Sequence, residues 1–159
     1  MPPTLVLYQP DIPQNAGTML RACACLGLDA AIVEPAGFPV ADRNFRRAGL
    51  DYLDFVPIAR HASFAAFEQW RRQAGRRLVL LTTRAAQPYA QFAFAADDLI
   101  MVGRESAGAP DAVHAAADAR LVIPVRPGLR SLNVAVAAAM ALGEALRQLS
   151  AFPAGDTAR

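Results

Sequence analysis

Four short segments carry side chains that could do chemistry together. The first is Asn15-Ala16-Gly17-Thr18-Met19-Leu20-Arg21, an amide, a glycine that permits close approach, and a guanidinium at the opening of an apolar helical stretch. The second, Leu81-Thr82-Thr83-Arg84, ends an apolar run in two hydroxyls and a cation. The third, Gly103-Arg104-Glu105-Ser106-Ala107-Gly108-Ala109-Pro110, brackets a charged pair with glycines. There Gly103 lets a flat ligand lie on the backbone, and Glu105 can accept from an amine or hydroxyl. The fourth runs from Ile123-Pro124 through Arg126, Gly128 and Arg130 to Ser131-Leu132-Asn133 at a helix start. Backbone N–H groups at such a start, with Ser131 and Asn133 beside them, suit an anion or a carboxylate. Each segment also has a plain reading: Asn15 and Ser131 as helix caps, Thr82-Thr83 as a strand terminus, Gly103 to Pro110 as a turn.

Composition narrows the chemistry further. All 16 basic residues are arginine and none is lysine, so Schiff-base, lysine-base and Walker-lysine chemistry are excluded. Any cation-dependent step must use a guanidinium. The formal charge of +2 names no partner. Cys23 and Cys25 stand two apart in a helical stretch and point in different directions, so they form neither a staple nor a zinc knuckle. His61 and His114 stand alone, and no metal site is expected. G-x-G-x-x-G, G-x-x-x-x-G-K-[ST] and G-x-S-x-G are all absent.

These residues need elements to position them. The chain has 159 residues, 54% of them hydrophobic and 19% charged, which suits one domain with its own core. Short apolar runs read as strands: Leu5–Tyr8, Ala30–Val33, Phe55–Ile58, Leu78–Leu81, Leu99–Val102 and Arg120–Ile123. Helical stretches lie between them: one through Leu26, then Phe45–Leu50, Ser63–Arg72 with Ser63 as N-cap, and Asp111–Ala117. Continuous apolar strands separated by helices predict an α/β domain of about six strands, mainly parallel, with helices on both faces. The last helix, Ser131–Leu149, is almost wholly Ala, Val, Leu and Met. An all-round apolar helix needs cover on more than one side, so a homodimer built on it is expected, with burial by the chain's own sheet as the competing account. The start, Met1-Pro2-Pro3-Thr4, has no secretory pattern, and apolar runs fall short of a bilayer span. A soluble, cytoplasmic protein is expected, with the domain over residues 1–152 and a frayed tail over 153–159.

Taken together, the motifs resemble the SPOUT class of RNA methyltransferases. Asn15-x-Gly17-x-x-x-Arg21 resembles the first motif of its ribose 2'-O-methylating branch. Gly103-x-Glu105-x-x-Gly108-x-Pro110 resembles the second, and Ile123-Pro124 with Ser131-Leu132-Asn133 the third. Leu7-Tyr8-x-Pro10-x-Ile12-Pro13-x-Asn15 and Arg46-Arg47-Ala48-Gly49-Leu50-Asp51-Tyr52 are similar to the small stand-alone tRNA cytidine/uridine wobble-position 2'-O-methyltransferases. The resemblance runs from Leu5 to about Phe152. It implies a trefoil knot in the C-terminal part, a homodimer, and S-adenosylmethionine held by Leu81, Gly103, Glu105, Ile123, Ser131 and Leu132. It implies catalytic roles for Arg21, Asn15 and Asn133, and methylation of the ribose of the tRNA wobble nucleotide, a cytidine or modified uridine. Two positions depart from the pattern: Arg104, where relatives often carry Pro or Ser, and Ala135, where many carry Ser.

Methyl transfer to a 2'-hydroxyl needs the oxygen held in line and its proton removed or its charge stabilised. Arg21 is the candidate for that work at the dimer interface. Arg43, Arg46 and Arg47 form a patch that could meet phosphates of an anticodon stem-loop. Three alternatives stay open on residues alone. They are a 2'-O-methyltransferase of another tRNA or rRNA site, a non-catalytic RNA-binding module of the same fold, and a flavodoxin-like small-molecule protein.

Overall fold

In the computed structural model, which describes residues 1–39 and 43–155, the chain alternates strands and helices as its apolar periodicity requires. The strands are β1 (Thr4–Tyr8), β2 (Ala30–Val33), β3 (Ile58–His61), β4 (Leu78–Leu81), β5 (Gln87–Pro88), β6 (Leu99–Val102) and β7 (Ala119–Val122). The helices are α1 (Pro13–Leu26), α2 (Arg43–Gly49), α3 (Phe64–Ala74), α4 (Asp111–Ala116) and α5 (Val134–Leu149). Two 3-10 turns, Leu50–Phe55 and Tyr89–Gln91, complete the set.

The strands form one sheet in the order β3-β2-β1-β6-β4-β7-β5, and every neighbouring pair is parallel. Helices cover both faces, because successive strand side chains point to opposite sides. Leu5 and Leu7 pack with Met19, Leu20, Ala138 and Leu142 beneath α1 and α5. Val6 and Tyr8 face Phe67 of α3 and Val113 of α4. Phe67 is fully buried, which contributes roughly 1.5–3 kcal/mol relative to exposure. At the opposite end of the strands from the motif loops, Asp98 is fully buried and its carboxylate is held by Arg77 at 2.7 and 2.8 Å.

Several boundaries differ from the sequence reading. There are seven strands rather than about six, because β5 is two residues long, Gln87 and Pro88, and carries no apolar run. The third strand falls at Ile58–His61 instead of Phe55–Ile58, because Leu50–Phe55 winds into a 3-10 turn. Helix α1 starts at Pro13, with Ile12 at its N-cap position and no side-chain cap bond. Asn15 is therefore inside the first turn and does not cap. Proline is pre-shaped for that first position and lacks the N–H that would go unused there. Ser63 does cap α3, its hydroxyl accepting from the Ala66 N–H at 3.1 Å.

Helix α5 begins at Val134, not Ser131. One face, Ala135, Ala138, Ala141, Leu142, Ala145 and Leu146, is buried on the sheet. The other presents Val136, 49% exposed, and Met140, 37% exposed. Burial by the chain's own sheet thus accounts for one side of this helix and leaves an apolar side open. Residues 156–159 of the expected tail lie outside the described residues. No described helix is long and apolar enough to cross a membrane.

Candidate active site

Strand register brings the motifs together. Leu7 and Leu81 both lie level with Val102, and Leu81 is level with Leu121. The C-terminal ends of β1, β6, β4 and β7 therefore stop at one edge of the sheet, the edge where open parallel sheets bind ligands. The loops that leave them enclose a cleft of about 900 Å3. Asn15, Leu81, Gly103, Glu105, Ile123, Ser131, Leu132 and Asn133 all line it.

Gly103 is required by space. A Cβ there would sit 2.6 Å from the Ala109 N and 2.7 Å from the Gly108 carbonyl carbon. Gly108 itself takes a left-handed φ of +65°. Arg104 and Gly108 then close the loop through two backbone hydrogen bonds, 3.2 and 2.7 Å. This leaves bare backbone at the end of β6, against which a planar group can rest.

Glu105 is tied to the loop after β1. Its Oε2 accepts from the Asp11 N–H at 3.3 Å, and its own N–H donates to Asp11 Oδ1 at 3.2 Å. The Ser106 hydroxyl donates to Asp11 Oδ2, and the Arg104 guanidinium lies 3.7 Å from the same oxygen. Glu105 Oε1 is buried and unpartnered. Burial first, then the neighbouring Asp11 carboxyl, pushes the Glu105 carboxyl above its ordinary range. Asp11 is held below its ordinary range, first by its hydrogen bond with Glu105, and also by Ser106 and Arg104. The pair thus holds one proton more readily on Glu105. Asp11 was not singled out in the sequence because its neighbours there, Pro10 and Ile12, mark only a turn.

Asn133 joins the first and third motifs. Its Nδ2 donates to Asn15 Oδ1 at 3.0 Å, while its Oδ1 accepts from the N–H groups of Ala135 and Val136 at 2.8 and 3.3 Å. Asn133, not Ser131, is therefore the N-cap of α5, and Ser131 is exposed on the cleft wall. Ala135, where the pattern carries Ser, is buried at the start of α5.

Arg21 does not line the cleft. It lies six residues beyond Asn15 on α1, about 9 Å further along the axis. It is exposed, with its guanidinium carbon 4.6 Å from the centroid of the Tyr52 ring. Arg43, Arg46 and Arg47 are exposed on α2, whose Phe45 is buried. Thr82, Arg84, His114 and Arg130 also line the cleft. Arg84 reaches Asp111 at 2.9 Å. Burial, reinforced by Arg84 and Arg120, holds the His114 imidazole below its ordinary range. No sequence pattern marks His114, which reaches the cleft from α4. Among the described residues no group of three or more His, Cys, Asp or Glu side chains could hold a metal ion.

Comparison with known proteins bears on the same segments. Residues 2–143 match the model of the SpoU rRNA Methylase family. The chain is 71% identical over 148 residues to a tRNA (cytidine(34)-2'-O)-methyltransferase of Beijerinckia indica subsp. indica, covering 93% of this chain and 92% of that one. It is 37% identical over 147 residues to the protein of the same name from Escherichia coli (strain K12), covering 91% and 92%. A solved structure described as "Structural insights into the 2-OH methylation of C/U34 on tRNA" superposes with a TM-score of 0.89 at 40% identity, over 93% of this chain and 96% of that one. An AdoMet-bound rRNA methyltransferase from Sinorhizobium meliloti superposes at 0.86 with 28% identity, over 93% of this chain but 57% of its own.

Proposed function

Because the chain belongs to the SpoU rRNA methylase family, we propose that it methylates the ribose 2'-oxygen of the tRNA wobble nucleotide, position 34, using S-adenosylmethionine. The observation that carries this reading is the convergence of the second and third motifs on one cleft with Asn15 of the first, joined by the Asn133–Asn15 hydrogen bond. The names of the relatives narrow the nucleotide to cytidine, with uridine as the second base.

The cleft fits the methyl donor. Bare backbone at Gly103, where no side chain has room, accepts a flat heterocycle. Leu81, Ile123 and Leu132 supply apolar wall, Ser131 a hydroxyl, and Glu105 an unpartnered acceptor. The donor supplies an electrophilic methyl on a sulfonium for in-line transfer to oxygen. The chain's own residues must orient the ribose and manage the charge of its 2'-oxygen. A guanidinium is a poor base. Arg21 therefore acts as a cation, contacting the nucleotide's phosphate and stabilising the developing alkoxide while the 2'-hydroxyl proton passes to solvent water. Asn15 and Asn133 hold the cleft's two walls in register.

Two observations support a homodimer as the working unit. Arg21 lies outside the cleft of its own chain, and α5 presents an open apolar side with Val136 and Met140. A second copy would cover that side and bring an Arg21 to a cleft that lacks one. Arg43, Arg46 and Arg47 then offer phosphate contacts for the anticodon stem-loop. Residues 1–152 act as one catalytic domain, with the C-terminal loops knotted, in the cytoplasm where tRNA is modified. Nucleoside mass spectrometry of tRNA from a deletion strain tests the function. Loss of a wobble 2'-O-methyl nucleoside is expected, and an unchanged profile at that position contradicts it.

A further inference from the structure

We propose that Tyr52 is a positioning residue for Arg21, holding the guanidinium plane so that its hydrogen-bonding edge is free for the substrate. The inference rests on the role given to Arg21 above. Tyr52 lies in the 3-10 turn Leu50–Phe55, which packs on α1 directly after α2. Its half-buried ring stands 4.6 Å from the Arg21 guanidinium carbon, well within cation–π range.

Comparison with the other arginines shows what is particular to this one. Arg71 spends its donors on Glu68, Asp118 and two backbone carbonyls. Arg76 also faces a ring, Trp70 at 5.7 Å, but it donates to Asp97 O and Thr4 Oγ1. Arg77 lies 4.7 Å from the Phe92 ring and is tied to Asp98. Among the described residues, Arg21 alone of these ring-facing arginines makes no hydrogen bond or ion pair within the chain. A ring occupies the face of a guanidinium and leaves its five in-plane N–H groups open. The Tyr52 ring therefore holds the Arg21 guanidinium without consuming a donor, which a carboxylate partner would do. An exposed, long side chain otherwise loses rotamer entropy when it engages substrate. A ring beneath it reduces that loss before substrate arrives.

The test is kinetic, on the full-length protein with tRNA and S-adenosylmethionine. Tyr52→Leu should lower kcat ~2- to 5-fold, the range of a cation–π contact at an exposed site. S-adenosylmethionine affinity, read by calorimetry, should stay unchanged. Tyr52→Phe keeps the ring face and should restore most of the turnover. Pentafluorophenylalanine at position 52 keeps shape and packing but removes the negative ring face, so it should behave like Leu even if the Leu chain folds poorly. In an Arg21→Ala background none of these changes should alter the residual rate. Wild-type kcat with pentafluorophenylalanine, or equal losses in both backgrounds, would overturn the positioning role. A fully active Arg21→Ala chain would instead overturn the reading of Arg21 itself, and the Tyr52 inference with it.

Discussion

At the scale of single residues, the site depends on charges that are held rather than merely present. The Glu105 carboxyl sits above its ordinary range because burial and Asp11 disfavour its charge. Folding therefore favours its protonated form, and its ionisation costs stability as pH rises from the unfolded value through the raised folded one. Below about pH 4, near the ordinary glutamate value, that cost vanishes. Asp11 has the opposite sign: its lowered value contributes stability at neutral pH that is lost on acidification. Glu105→Gln removes the first cost while the Ser106 and backbone donors to Asp11 remain. Thermal melts should show the variant at least as stable as the parent at pH 7, with the gap closing toward pH 4. A variant less stable at pH 7 would contradict the sign. The sequence displayed Glu105, because two glycines bracket it. It did not display Asp11, and it displayed Tyr52 only as the end of a motif carried by resemblance; their importance comes from contacts that span 94 residues in one case and two elements in the other. Cys23 and Cys25 behaved as their spacing implied: Cys23 is buried and its thiol pushed up to about 12, chiefly by burial, while Cys25 is exposed.

At the scale of elements, the loop after β6 is the most constrained part of the cleft. Gly103→Ala would place a methyl 2.6 Å from the Ala109 N, where backbone must move. Overpacking of this kind costs roughly 1–3 kcal/mol, and here it also shifts the surface proposed above to hold the cofactor. Calorimetry should show S-adenosylmethionine affinity falling by ~10-fold or more, beyond what a lowered melting temperature accounts for. Unchanged affinity would show that the Gly103 backbone is not a binding surface. Strand identity was legible wherever apolar runs filled both sheet faces, as in Leu78–Leu81 and Leu99–Val102. Edges were less legible. β5 has no apolar run, and β3, with Arg60 and His61, reads poorly as a strand until β2 pairs with it. Asn133 as the cap of α5 was hidden by Ser131, an equally good capping residue two positions earlier.

At the scale of the whole molecule, the proposed reaction needs two copies of the chain and an RNA. Val136→Asp with Met140→Asp places charges on the open side of α5. The pair should shift the protein to monomer in light scattering and cut methyl transfer by ~100-fold, because catalysis from an unaligned Arg21 is lost. A monomer with wild-type turnover would refute a shared site. Reversing Arg43, Arg46 and Arg47 to Glu should weaken tRNA binding and flatten its dependence on salt by up to about three phosphate contacts. An unchanged slope would place the RNA elsewhere. The near-neutral charge of +2, 16 arginines against 14 carboxylates, gave no sign of the patch at Arg43, Arg46 and Arg47. The knot lay beyond composition and periodicity and was expected only from the resemblance, whereas the dimer was expected first from the all-round apolar pattern of Ser131–Leu149. The central claim is tested most directly by incubating the purified protein with labelled S-adenosylmethionine and unmodified tRNA, then locating the methyl group by nuclease digestion and mass spectrometry. The account predicts one methyl on the ribose 2'-oxygen of the wobble nucleotide; transfer to a base, to another position, or no transfer at all would contradict it.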